Sequence, residues 1–112
     1  MSAYNEVVRP VLEICPRCNS EIQRLVQFKY GDSWQHHFAV GDHLTWGGND
    51  VGEPGHELVV AAGYPDECPV CGYVPDCVYD VFIRCDVIED VRPSDGSYDY
   101  VGTGDGYFVV EQ

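Results

Sequence analysis

The sequence predicts an all-β fold, in which an antiparallel meander curls into a partly closed barrel or a sandwich. Three observations lead to this prediction. Apolar and polar residues alternate with the period of a β-strand from residue 21 onward. Turn signals, built from 12 glycines and 7 prolines, recur about every 8–12 residues. Helix signals are poor, and the 112 residues suit a small single domain, 1–112.

The first segment is the one candidate for helix. Residues 5–14 could form a short helix or a single turn, which Pro10 interrupts. The strand pattern begins after it, between residues 21 and 30, where apolar side chains fall on one face and polar side chains on the other. The apolar face of this strand holds Ile22, Val26, Phe28 and Tyr30.

Short turns separate the next elements. Residues 31–33 (GDS) predict a turn, and residues 34–40 continue as a strand. Gly41–Asp42 predicts a second turn, which leads into a short strand at 43–46. Residues 47–55 are a loop by composition, because glycine and proline dominate them. The common face of strand 34–40 holds Trp34, His36, Phe38 and Val40.

The second half of the chain carries three further strand patterns. Residues 56–64 predict an apolar strand, and residues 77–91 alternate again. Asp95–Gly96 is a hairpin signal, and residues 107–111 predict the final strand. In the pattern over 77–91, one face carries Tyr79, Val81, Ile83, Cys85 and Val87.

Two Cys-x-x-Cys motifs, Cys15–Cys18 and Cys68–Cys71, have the donor type and spacing of a tetrahedral metal site. A two-residue spacer turns tightly enough for both sulfurs to face one ion, and two such motifs supply four thiolates. Gly72 follows the second motif and can take the positive φ that lets backbone N–H groups approach the sulfurs. Asn19 occupies the matching position after the first motif, where Asn is the best residue other than Gly.

The separation between the motifs is unusually long. Between Cys18 and Cys68 lie 49 residues, against roughly 15–20 for the common paired pattern. Tripling a loop costs only about 1 kcal/mol of closure entropy, whereas structural zinc binding is worth about 10–16 kcal/mol. The insert, 21–66, is therefore compatible with one metal site, because we expect it to fold on itself.

The motifs resemble those of zinc ribbon proteins, which carry two CPxC knuckles on adjacent β-hairpins. The resemblance covers Cys15–Cys18, Cys68–Gly72 and their flanking strands, and it implies that Cys15, Cys18, Cys68 and Cys71 bind one structural zinc ion. The stretches FKYG, VGD, WGGND and GEPG between the knuckles look like those of a group of uncharacterised bacterial zinc-ribbon proteins. That likeness implies a bacterial source and no activity.

Three other readings of the cysteines stay open. Disulfides need an oxidising compartment, and no secretory signal is recognisable. A thioredoxin-like redox pair favours a βαβ context and cationic neighbours, whereas this context is β and acidic. Iron in a rubredoxin-like site uses the same four thiolates, although zinc is favoured. Of the remaining pair, Cys85 falls on the apolar face of a strand pattern and is expected to be buried. Cys77 could be a spare ligand, although burial is favoured for it too.

Charge is distributed unevenly. The net charge is −13, with +1 in residues 1–29 and −14 in residues 30–112. Because phosphate binding depends on Lys and Arg, direct nucleic-acid binding is disfavoured. An acidic surface attracts basic partners, so we expect another protein, basic in character, as the partner. Alternatively, the acidic charge serves only to keep the protein soluble. No apolar run reaches the roughly 20 residues of a membrane span, and a cytoplasmic location is the expectation.

The insert contains every histidine of the chain and an unusual glycine-rich loop. His36, His37, His43 and His56 could contribute to a second metal site or a general base, but no HExxH motif occurs. The loop offers Trp46, Asn49, Asp50 and Glu53 as candidate partner-binding residues. Alternatively, Trp46 covers the core and the glycines supply turn geometry.

These observations predict a non-enzymatic, acidic zinc-binding protein that acts as a protein-interaction module. A toxin-immunity protein, an inhibitor of a nucleic-acid-binding enzyme and a nucleic-acid mimic all fit the charge. A small metal-dependent enzyme that uses the insert histidines is the first alternative, and a rubredoxin-like electron carrier is the second. A four-cysteine zinc site has no open position for water, which disfavours catalysis at that metal.

Overall fold

The computed structural model describes residues 4–98, 100 and 106–111, and the fold is all-β, as predicted. The strands vary from two to eight residues in length, and β8 is the longest. The elements of the described residues are β1 Asn5–Val8, β2 Glu13–Ile14, β3 Glu21–Ile22, β4 Leu25–Phe28, β5 Gly31–Asp32, β6 His37–Ala39, β7 Asp50–Val51, β8 Leu58–Pro65, β9 Tyr79–Arg84, β10 Val87–Pro93 and β11 Tyr107–Glu111.

One seven-stranded sheet forms most of the structure. Its strand order is β10-β9-β8-β4-β1-β6, and β11 is paired with β8 outside this path. Neighbours are antiparallel except β1 and β6, which are parallel. Two small sheets, β2-β3 and β5-β7, complete the pairing. The long strand β8 is the centre of the fold, because it pairs with β9 along one edge and with β11 and β4 along the other.

The large sheet curls until its two ends approach each other. After β6, the chain bonds to the outer edge of β10, where the Gly41 N–H donates to the Ile88 carbonyl at 2.7 Å and the Leu44 N–H to the Asp86 carbonyl at 2.8 Å. His43 and Val87 form an isolated antiparallel bridge at the same place. These contacts make the sheet a half-barrel, which agrees with the predicted partly closed barrel.

The core lies inside this curl. Most of its buried members come from β1, β4, β8, β9 and β10, and they include the predicted residues Val26 and Phe28. Tyr30, also predicted, and Leu44 are buried members that lie outside these strands. Ile22 is buried too, but it belongs to a second, smaller cluster around the cysteines. Trp46 and Tyr107 pack edge-on against Tyr30, with ring centroids 5.4 and 5.2 Å away.

The segment 5–14 is not helical, which corrects the first expectation. It forms β1 and β2, and Pro10 lies between them, where no ladder N–H is required. Long-range pairing explains the difference, because β1 is held on both sides by β4 and β6. The buried Asn5 side chain reinforces it by donating to the carbonyls of Tyr30 and Asp32, both at 3.2 Å.

The pattern over residues 77–91 is a hairpin and not one strand. Cys85 and Asp86 have φ of 49° and 67°, and they form the two-residue turn between β9 and β10. Cys85 is therefore exposed, as is Cys77, so the expectation that both are buried is wrong. No glycine marks this turn, whereas Asp95–Gly96, which carries the hairpin signal, does not join paired strands, because β11 pairs with β8.

Three shorter predictions within the insert are also corrected. Gly31–Asp32, predicted as part of a turn, is β5 and pairs with β7 inside the predicted loop 47–55. Residues 43–46 contribute only the bridge at His43 instead of a strand. Trp34 is 67% exposed and does not join Phe38 against the core. Within the described residues, no helix has the length and apolar character needed to cross a bilayer.

Candidate metal centre

The first cysteine knuckle is a tight turn between β2 and β3. The Asn19 N–H donates to the Cys15 carbonyl at 2.9 Å, and the Cys15 N–H donates to the Ser20 carbonyl at 2.9 Å. Asn19 has φ of 61°, as its position after the motif predicts. This turn places the sulfurs of Cys15 and Cys18 on the same side of the hairpin.

The second knuckle repeats the geometry without a flanking strand pair. The Gly72 N–H donates to the Cys68 carbonyl at 2.9 Å, and the Cys68 N–H donates to the Tyr73 carbonyl at 2.8 Å. Gly72 has φ of 78°, and the Val70 N–H points at the Cys68 sulfur from 3.4 Å. The same two backbone hydrogen bonds thus shape both turns, although this one lies in the connection from β8 to β9.

The two knuckles meet and bring four thiols together. All four Sγ atoms lie within 4.8 Å of one another. The Sγ atoms of Cys15 and Cys71 are 3.7 Å apart, and those of Cys18 and Cys68 are 3.8 Å apart. A Zn–S bond of about 2.3 Å in a tetrahedron requires S···S edges of about 3.8 Å. The cysteines are free thiols at a spacing that fits one tetrahedral ion such as zinc.

The thiols differ in acidity because their hydrogen bonds differ. Hydrogen bonds from Ser20, through its side chain and its backbone, lower the pKa of Cys18 from 9.0 to about 6. The backbone N–H groups of Cys71 and Val70 lower the pKa of Cys68. For Cys71, the Tyr73 N–H lowers the pKa, but burial and the other three thiols outweigh it and raise the pKa to about 11. Four sulfurs within 4.8 Å repel one another when they ionise, and a cation among them relieves this repulsion.

A small apolar cluster supports the knuckles. Cys15, Ile22 and Cys68 are buried together, and Cys18 and Tyr73 pack against them. Cys71 is the exposed member of the four. This cluster is separate from the main core and buries little apolar area. A metal ion that joined the two knuckles would therefore add stability where hydrophobic burial supplies little.

A hydrogen-bonded group around Glu13 joins the knuckles to the large sheet. The Glu13 carboxylate accepts from Arg9 at 2.8 Å, from Arg24 at 3.3 Å and from the Tyr79 hydroxyl at 2.8 Å. Arg24 is only 2% exposed and also donates to the Asp66 carbonyl at 2.8 Å. Sequence reasoning missed this group, because nothing in the local pattern predicts that a charged arginine is buried.

The other candidate ligands do not converge. Within the described ranges, the four cysteines are the one set of at least three His, Cys, Asp or Glu residues placed to hold a metal. His36 lies beside Asp32, with Nε2 3.2 Å from a carboxylate oxygen, while His37 and His43 are exposed. The four histidines therefore do not form a second metal site in this part of the chain.

The glycine-rich loop is held by its own polar side chains. The Asp50 carboxylate accepts from the N–H groups of Gly47 and Gly48 at 3.0 and 3.2 Å. Asn49 donates to Asp32 through its N–H and to the Ser33 carbonyl through its side chain. Of the candidate partner-binding residues, Asn49, Asp50 and Glu53 are exposed, whereas Trp46 is half-buried against Tyr30.

Comparison of the chain with protein-family models, with curated proteins and with solved structures finds no match. The likeness to zinc ribbons therefore lies in the two knuckles and the four converging sulfurs.

Proposed function

We propose that the four-cysteine cluster (Cys15, Cys18, Cys68 and Cys71) binds one structural zinc ion and that the protein acts by binding another protein. The convergence of the four sulfurs within 4.8 Å is the observation on which the zinc proposal rests. With four cysteine ligands the ion has no open position, so its role is to stabilise the fold.

The partner in this proposal is a basic protein. The motivating observation is the charge of −14 over residues 30–112, where Arg84 and Arg92 are the only cations and both are paired with carboxylates. The exposed side chains of Asn49, Asp50 and Glu53 and the exposed Trp34 supply polar and aromatic contact groups on the insert. Aromatic anchors ringed by charge are typical of binding surfaces.

Elemental analysis of the purified protein tests the zinc proposal. We expect about one zinc per chain, and Cys18→Ser should remove most of it and lower the midpoint of thermal unfolding. The matched control is Cys77→Ser, which changes an exposed cysteine outside the cluster and should leave the zinc content unchanged. Equal zinc content in both variants would contradict the proposal.

Iron is the second candidate metal, because a rubredoxin-like site has the same four thiolates at similar spacing. The two metals are distinguished by colour, since a ferric tetrathiolate absorbs visible light and zinc does not. A red protein that contains iron and no zinc would replace the zinc proposal with that of an electron carrier.

Capture of proteins from the native host tests the partner proposal, followed by reconstitution with the purified candidate. We expect a basic partner whose binding weakens steeply with salt and weakens further in Glu53→Gln. Glu89→Gln, on a strand far along the chain from the loop, removes the same charge and is the control. A partner that is acidic, or one whose affinity is independent of salt, would refute the role of charge.

A further inference from the structure

A cavity of about 310 Å³ lies on the outer face of the large sheet, where β8 changes partners. Along this edge, β11 pairs with β8 at Leu58–Ala61 and β4 pairs with it at Gly63–Pro65. Ala62 lies between the two and bonds through its N–H to the Gly106 carbonyl at 2.8 Å. The cavity therefore results from the fork between β4 and β11.

The floor of the cavity is small and its walls are aromatic. Ala62 is 3% exposed and carries only a methyl group, whereas Tyr64, two residues on and hence on the same face of β8, is 57% exposed. Gln27 lies directly opposite Tyr64 in the register of β4 and β8. Tyr4 completes the lining beside β4. An apolar floor between two phenol rings suits a flat apolar group.

Three of the polar side chains that line the cavity carry hydrogen-bond donors without a partner among the described residues. Lys29, the only lysine of the chain, forms no ion pair with any residue in the described ranges. The hydroxyls of Tyr4 and Tyr64 bond to no group in that part of the chain either. An ammonium and two phenols are complementary to an ionised carboxylate, which only accepts.

The charge of the lining separates this cavity from the two others that the structure describes. Its lining among the described residues contains no carboxylate. In contrast, the cavity of about 350 Å³ is lined by Glu89 and Asp90 together with Arg84 and Arg92, and that of about 250 Å³ by Asp80 and Asp95 together with Arg92. In a protein of net charge −13, this cavity is the one of the three whose described lining carries a cation and no acid, so it should repel an anion less than the other two.

We propose that this cavity binds a small carboxylic acid with a flat apolar body, held by Lys29 through its carboxylate and by Tyr4 and Tyr64 through its ring. The volume limits the ligand to about a dozen heavy atoms, at the lower end of the range for small-molecule sites. This inference is independent of the proposed zinc and partner functions.

Titration of the ¹⁵N-labelled, full-length protein with phenylacetate, followed by NMR, tests the proposal. We expect saturable shifts confined to residues 27–29 and 62–64 and to Gly106, with Kd below about 1 mM. Phenylacetamide, which has the same shape without the charge, should bind at least tenfold more weakly. Shifts that do not saturate, or equal binding of the amide, would overturn the proposal.

A pair of charge variants provides the second test. Lys29→Gln should weaken phenylacetate binding at least tenfold, whereas Arg17→Gln should change it less than twofold. Arg17 is the matched control, because it is also exposed and unpaired within the described residues but lies in the first knuckle. Equal weakening by both variants would show a general charge effect and refute the site. If Lys29→Gln misfolds, the comparison of phenylacetate with phenylacetamide on the unaltered protein still tests whether the site recognises a carboxylate.

Discussion

Replacement of Glu13 by Gln tests whether the knuckles are fixed to the large sheet by the hydrogen bonds that this carboxylate accepts. The side chain of Glu13 is 16% exposed, and its partner Arg24 is 2% exposed. Removing one member of a buried ion pair costs about 3–5 kcal/mol. Because Glu13 is not fully buried and Arg24 keeps its bond to the Asp66 carbonyl, we expect about 3 kcal/mol, at the lower end of this range.

Urea denaturation in the presence of added zinc measures this change in the free energy of unfolding. In a thermal scan the midpoint should be lower by roughly 12 °C, at about 4 °C per kcal/mol for a domain of this size. Glu89→Gln is the matched control. Its partner Arg84 is 45% exposed and Glu89 itself 47%, so the loss should stay below about 1 kcal/mol. A Glu13→Gln variant as stable as Glu89→Gln would refute the reasoning.

Two other predictions concern the core. Gly63→Ala places a Cβ in steric conflict with Cγ1 of Val26 and 3.1 Å from Cγ2 of Val81. Overpacking of this kind should lower the free energy of unfolding by about 1–3 kcal/mol in urea denaturation, and an unchanged midpoint would contradict it. Burial, with the charge of Asp86 next, raises the pKa of Tyr30 from 10.0 to about 12. The folded state then keeps a proton that the unfolded chain releases above pH 10, so the free energy of unfolding should fall between pH 10 and 12. Tyr30→Phe should reduce this fall, and an identical pH profile in that variant would count against the assignment.

The parts of the structure that local chemistry decides could be predicted from the sequence. The turn after each cysteine motif requires a positive φ, and the residues there, Asn19 and Gly72, are those that tolerate it. The central strands also have an apolar face that their alternation reveals. Residues 56–64 differ, because they are a continuous apolar run that predicts a strand buried on both faces; in β8, which has partners along both edges, residues 59–63 are buried.

The parts that depend on distant pairing could not be predicted. The turn at Cys85–Asp86 lacks the usual glycine, so alternation ran through it unbroken and hid a hairpin. Arg24 is buried only because Glu13 and the Asp66 carbonyl meet it from other segments. The exposure of Trp34 likewise follows from where β6 begins, because the strand starts at His37 and Trp34 lies before it.

The pairing of Cys18 with Cys68 across 50 positions has a consequence for synthesis. Ribosomes add about 5–20 residues per second, so about 3–10 seconds pass between the appearance of the first two thiols and that of the second two. During that interval the first knuckle holds only two of the four sulfurs of the cluster. The four-cysteine cluster can therefore form only after the second half of the chain has emerged, so the two sulfurs of the first knuckle wait for the partners that complete it.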